Sequence, residues 1–177
     1  MKKYFAALLI TYQIFAAGCS NDHLINDKAY RLTVEKDFSA RRKTGANRDK
    51  ELYGVFDQDL DKSREEALKF LYAYMPLSDM ADYSGEFFLA NVDMALKARK
   101  ESPWRKDIPE DIFLHYVLPY RVNNENLDSF RLRYYDEIRN RIKGLSLADA
   151  ALEINHWCHE KVTYQPSDIR TSSPMNT

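Results

Sequence analysis

Apolar residues recur along this chain at helical spacings, and turn-forming residues break the recurrence at short intervals. Leu52, Val55, Phe56 and Leu60 follow Asn47, a candidate N-cap, and form the stripe of an amphipathic helix. Ser63-Arg64-Glu65-Glu66 fits a capping box, in which the serine oxygen accepts an amide three residues on and the glutamate reaches back. Ala67, Phe70, Leu71 and Tyr74 supply the apolar face of that second helix, and Pro76 ends it. A third helix is predicted from near Ser84 to about Lys100 on Phe87, Phe88, Val92, Ala95 and Leu96, apolar over more than one face and so a candidate centre of the domain. Pro103-Trp104 marks a loop, Pro109 opens a short helix through Ile112, Phe113 and Tyr116, and Pro119 closes it. Leu127, Phe130, Tyr134, Ile138 and Ile142 keep one helical register, with Gly144 at the C-cap position. Ser146 and Asp149 can cap a last helix in which Leu147, Ala151, Ile154 and Cys158 share a face. The expected fold is mainly α, an array of about six helices with short connections.

Before Asn47 the pattern changes. Ser20 to about Lys43 is polar and charged, with a brief alternation at Tyr30, Leu32 and Val34 that would suit a short strand; a flexible tether is the expectation. Arg41, Arg42 and Lys43 form a basic cluster flanked by Glu35, Asp37, Asp49 and Glu51, which reads as part of a solvated tether. Composition agrees with a folded domain: 45% hydrophobic and 13% aromatic residues provide a core, and 5 Gly and 6 Pro are too few for a turn-rich β architecture.

Met1 to Ala17 carries Lys2 and Lys3, an apolar run from Tyr4 to Ile10 and small residues before a break. That is the layout of a secretory leader and is shorter than the about 20 apolar residues needed to span a bilayer. Ala16-Ala17-Gly18-Cys19 resembles the lipobox of bacterial lipoproteins, which implies cleavage before Cys19 and acylation of its thiol. Removing Lys2 and Lys3 from 26 bases leaves 24 against 27 acids, a net charge of -3, so no nucleic-acid footprint follows and no nucleic-acid partner is expected. With Cys19 acylated, Cys158 has no intramolecular disulfide partner.

Chemistry-bearing residues cluster in three places. Asn155-His156-Trp157-Cys158-His159-Glu160 suggests a Cys/His pair or a metal site, but helix geometry sets Cys158 about 200° from His156 and about 100° from His159. The cysteine is therefore expected to be a buried packing residue and the histidines to lie at the surface. No HExxH or CxxC spacing occurs, so no metal site and no cofactor are expected. The stretch IPEDIFLHYVLPYRVNNENLDSFR, Ile108 to Arg131, sets Arg121, Glu125 and Arg131 among aromatics, an arrangement able to fix a loop by ion pairs. Asp79, Asp82 and Glu86 could bind a cation, although acidic residues in a first helical turn are favoured by the helix dipole without one.

The Leu118-Pro119-Tyr120-Arg121 block resembles the region upstream of the core in Bacteroidetes-type transglutaminase-like lipoproteins. The final segment LADAALEINHWCHEKVTYQPSDIRTSSPMNT resembles the lead-in to that papain-like α+β core. The resemblance implies a Cys-His-Asp enzyme acting on amide or peptide carbonyls by hydrolysis or acyl transfer, with its nucleophile in a Gly-x-Cys turn beyond Tyr164. None of the triad maps onto this chain, and Cys158 precedes the nucleophile's place, so no catalytic residue is assigned. The expected organisation is a lipoprotein signal peptide over 1–18, a lipidated N-terminus and tether over 19–46, a helical domain over 47–146, and the first helix and extension of a truncated core over 147–177. Cys19 then ties the protein to membrane lipid in the cell envelope, and a peptide or protein substrate would be taken through the missing core. Residual apolar surface is expected near Trp157 and Val162, where that core would pack.

A competing expectation is a complete α-helical surface lipoprotein that binds a peptide, glycan or protein through an aromatic face near Trp104, Tyr116, Tyr120 and Trp157. A third is metal binding by His156, His159 and Cys158.

Overall fold

A computed structural model describes residues 23–44, 49–121, 127–128 and 130–161. Cys19 and the leader, Asn47, Glu125, Val162 and Tyr164 lie outside the described residues. Among the described residues there are eight α-helices and no strand, in keeping with a mainly α fold.

The largest departure from the sequence pattern comes first. Lys28–Thr44 is a helix, α1, not a tether. Asp27 starts it: its carboxylate accepts the amides of Ala29 at 2.7 Å and Tyr30 at 3.1 Å. Tyr30, Val34 and Phe38, four residues apart, form its inward face, and Val34 and Phe38 are buried. The chain just before it is docked too, with Leu24 and Ile25 inside the core. The basic cluster is likewise structural. Arg41 donates to the carbonyls of Tyr72, at 3.3 Å, and Met75, closing the C-terminal end of the helix that α1 packs against, while Arg42 lies 5.1 Å from the Tyr53 ring.

The second segment breaks after one turn. Asp49–Tyr53 is α2, and Gly54–Asp57 continues as a 3-10 turn that buries Val55. Lys62–Tyr74, α3, is capped by Asp61, whose carboxylate accepts the Arg64 amide at 2.9 Å. The predicted Ser63 capping box does not form, because the helix begins before it and Glu66 turns to His23 and to the Ile25 amide, the latter at 3.0 Å. Tyr72, rather than Tyr74, lies inside, and its hydroxyl donates to the Leu52 carbonyl at 2.7 Å. Leu77–Asp82 forms the short α4.

Gly85–Glu101, α5, matches its predicted span, with Ser84 as N-cap accepting the Phe87 amide at 3.3 Å. It buries Phe88, Val92 and Ala95 and touches α2, α3 and the later α7, which makes it the central helix. Around it the core is largely aromatic: Tyr72 meets Phe88 at 5.7 Å and Tyr53 at 5.4 Å, both edge-on. Gly85 is required by close approach, since a Cβ there would run into the Leu52 carbonyl oxygen and stand 2.8 Å from Val55 Cγ1.

Pro109 precedes α6, Glu110–Ile112, which widens into a π-turn over Phe113–Val117 whose closing bond runs from the Leu118 amide to the Phe113 carbonyl at 2.8 Å. Phe130–Arg141, α7, and Leu147–Lys161, α8, form a hairpin. Gly144, at φ +80°, makes the left-handed turn between them. Ser146 and Asp149 cap α8 reciprocally, the Asp149 amide donating to Ser146 Oγ at 3.2 Å and that hydroxyl donating to Asp149 Oδ2 at 2.7 Å.

The buried side of α8 is not the predicted one. Ala150 and Trp157 face inward, and Trp157 sits against Tyr134 at 5.1 Å and Phe130 at 6.2 Å while donating to Glu137 at 2.8 Å. Leu147 is 56% exposed, Ala151 and Cys158 are exposed, and Ile154 is half-buried. Cys158 is thus a surface thiol and Trp157 a buried ring, the reverse of the sequence reading. Two stripes about 90° apart compete on this helix, and the aromatic notch on α7 selects the one holding the larger ring.

Candidate functional site

The Leu118-Pro119-Tyr120-Arg121 block is clamped at both ends. Asp79, in the first turn of α4 and only 3% exposed, accepts the Tyr120 hydroxyl at 2.7 Å on one carboxylate oxygen and Arg121 Nη2 at 2.6 Å on the other. Burial and then the Asp79 hydrogen bond push the Tyr120 phenol above its ordinary value, so it remains a neutral donor. Its ring lies 5.1 Å from Phe88 and 6.2 Å from Phe87.

Arg131, at the start of α7, spreads its guanidinium over backbone oxygens. It donates to Val117 at 2.8 Å, Leu118 at 3.2 Å and Pro119 at 2.6 Å, the carbonyls left over where the π-turn ends, and to Asn91 on α5 at 3.3 Å. Burial draws Arg131 below the usual arginine value. The predicted set of ion pairs is therefore rearranged. Arg121 pairs with Asp79, Arg131 serves carbonyls, and together they tie α4, α5 and α7 to one turn.

The acidic trio is dispersed by the same contacts. Asp79 is committed to Tyr120 and Arg121, Asp82 is exposed, and Glu86 accepts from Gln58 at 2.6 Å. Among the described residues no three His, Cys, Asp or Glu side chains converge as a metal site would require. His156, Cys158 and His159 all lie on the surface of α8. The four aromatics expected to share a binding face do not meet on one: Trp157 is buried, Tyr120 is inside the clamp, Trp104 is half-buried and Tyr116 is 77% exposed.

Two features were not foreseen. An open groove of about 560 Å³ runs between α1, α3 and the 3-10 turn, floored by Phe38 and Phe56. Its rim carries Lys69, held by Glu35 at 2.6 Å and Glu65 at 2.8 Å, with Arg42 beside them. The second is the seat of the docked N-terminal segment. His23 Nδ1 meets Glu66, whose other oxygen accepts the Ile25 amide at 3.0 Å, and Arg31 donates to the Ile25 carbonyl at 2.8 Å. Asn26 gives its amide at 3.0 Å and its side-chain Nδ2 at 2.6 Å to Glu110. Both features depend on α1 being a helix, and the signal available was the four-residue spacing of Tyr30, Val34 and Phe38.

No helix among the described residues is long and apolar enough to cross a membrane. No family model matches this chain, and comparison with curated proteins and with solved structures finds no match.

Proposed function

We infer that this chain serves as the helical N-terminal portion of a transglutaminase-like lipoprotein, attached through Cys19 to membrane lipid in the cell envelope. In this reading it supports a Cys-His-Asp core that cleaves or transfers amide-linked groups. The observation that carries the reading is the bare stripe of α8. Leu147, Ala151 and Cys158 stand exposed on a helix whose neighbouring stripe, about 90° around, is packed on α7, which is what a helix shared with a further domain presents. The clamped Leu118-Pro119-Tyr120-Arg121 turn fits a supporting role, since the Tyr120 hydroxyl, the Arg121 guanidinium and the Leu118 and Pro119 carbonyls are engaged in holding helices together.

The test is genetic and then chemical. Reading the gene in frame past codon 177 should reveal a Gly-x-Cys turn followed by His and Asp. The longer polypeptide should form a hydroxamate from a glutaminyl or peptide donor and lose that activity when the new cysteine becomes alanine. A frame without such a turn sinks the reading.

The groove over Phe38 and Phe56 favours a second reading, a peptide-binding module, because an apolar floor with fixed charges of both signs suits an extended peptide. A Phe56→Ala variant that folds normally yet binds a peptide panel as the parent does, or a parent that binds none, removes it.

A further inference from the structure

The docked N-terminal segment changes what lipidation at Cys19 would do. His23 is docked on Glu66, and three residues, Ser20, Asn21 and Asp22, stand in the sequence between it and Cys19. Four Cα steps span at most about 14 Å even when fully extended. A domain of this size is about 35 Å across, and the headgroup layer occupies several Å on each side of the hydrocarbon. A leash shorter than the body lets one face reach the bilayer and withholds the opposite one.

We propose that the face formed by His23 to Tyr30 and the α6/π-turn segment lies against the lipid headgroup layer, resting on the reading of Cys19 as the lipidated residue. The two segments are joined: Asn26 is held by Glu110, and the Tyr30 hydroxyl lies 3.3 Å from His115 Nε2. Beside those contacts the same segment displays Tyr116, 77% exposed, and Ile112, 40% exposed. A phenol ring and an isoleucine on an outer face are costly in water. At a membrane interface the ring buries its apolar body while its hydroxyl stays wet. Charge does not drive the contact: His23 and Arg31 face Glu66, but Glu110, hydrogen-bonded by the neutral Asn26, keeps its charge beside exposed Asp27, Lys28 and Asp111, so the face is slightly acidic and adhesion does not draw on anionic lipid. Leu152, 57% exposed, belongs to neither segment: it lies on α8, about 140° around that helix from Trp157 and so turned from α7.

The test uses the full lipoprotein carrying Cys158→Ser, reconstituted into phosphatidylethanolamine and phosphatidylglycerol vesicles that contain a headgroup-attached quencher. A fluorophore is placed at Tyr116→Cys in one sample and at Leu152→Cys in another. Mass spectrometry of the N-terminal peptide reports acylation of Cys19 in each. Quenching several-fold stronger at position 116 than at 152 is expected. Inserting twenty Gly/Ser residues between Asp22 and His23 lengthens the leash to about 25 Å root-mean-square and is expected to erase the difference. Equal quenching in fully acylated protein overturns the proposal while leaving the lipidation reading intact; a difference that survives the long linker supports the proposed face and assigns its hold to adhesion rather than to the leash. An unacylated N-terminal peptide overturns both.

Discussion

Arg121 Nη2 lies 2.6 Å from Oδ1 of Asp79, a contact between a residue after the π-turn and one in the first turn of α4, 42 positions earlier in the chain. Both side chains are largely withdrawn from water, and the second carboxylate oxygen is occupied by Tyr120. Removing one partner of such a pair strands the other charge. Asp79→Asn is expected to cost about 3–5 kcal/mol in urea unfolding. Tyr120→Phe, which strands no charge, is expected to cost about 1 kcal/mol. A combined loss smaller than the two separate losses added together would show that they act as one unit; full additivity would contradict the clamp.

Arg131 tests the carbonyl cage. Arg131→Met leaves the oxygens of Val117, Leu118, Pro119 and Asn91 without that donor. Buried acceptors left unpaired cost about 1–3 kcal/mol each before water relieves them, so a loss of about 3 kcal/mol or more is expected. Arg131→Lys should recover only part of it, because an ammonium lacks the planar fork that spans several acceptors. Full rescue by lysine in a thermal melt would mean that charge alone matters.

Gly85→Ala is a backbone test of the α2–α5 approach. The added methyl meets the Leu52 carbonyl and Val55, neither of which is the free end of a flexible side chain. Overpacking of this kind is expected to lower stability by about 1–3 kcal/mol, even though alanine is the better helix former. An increase in melting temperature would show that the two helices separate freely.

Alkaline pH should weaken the fold. Burial, then a hydrogen bond to Asp37, pushes the Tyr74 phenol up to about 12, and burial, then Glu101, does the same for Tyr135, against an ordinary value of 10.0. Each hydroxyl donates to its carboxylate and can do so only while protonated. Because the folded values are raised, the folded state holds more protons than the unfolded one between them. The contribution is therefore complete below pH about 10, declines from pH about 10 to 12, and is absent above that. Unfolding midpoints followed across this range should fall in the parent and fall less in a Tyr74→Phe, Tyr135→Phe double variant.

The α7–α8 hairpin should open before the rest. No residue of α7 is fully buried, and α8 buries only Ala150 and Trp157, whereas α3 buries six residues. Amide exchange should be faster in both hairpin helices than in α3 and α5. Cys158 should react with a thiol reagent in the native protein at the rate of an exposed cysteine, and a protected thiol would put it back inside.

Much of the local structure was legible from side-chain chemistry. The span of α5 with its Ser84 cap, the Gly144 turn, the Ser146–Asp149 cap and the punctuation by Pro76, Pro109 and Pro119 each depend on interactions within a few residues, which the chain order itself supplies. The capping box at Ser63 failed narrowly: Asp61, two residues earlier, offers an equivalent acceptor, and the helix takes the longer option. Of the candidate site, the importance of Arg121 and Arg131 could be read, but not their partners, because Asp79 and the carbonyl of Asn91 are some forty residues distant.

What the sequence by itself determined is therefore the helical class, most helix starts and stops, and which segments are apolar enough to bury. Tertiary structure decided which faces are buried. On α1 the sparse triplet Tyr30, Val34 and Phe38 becomes a core face only because α3 and the Tyr53 and Phe56 rings are there to receive it. On α8 the pocket of Phe130 and Tyr134 takes Trp157 and leaves Cys158 in water. Helical periodicity identifies the stripes a helix could bury; the choice between them is made by the shape and hydrogen-bonding groups of a partner surface assembled from distant parts of the chain.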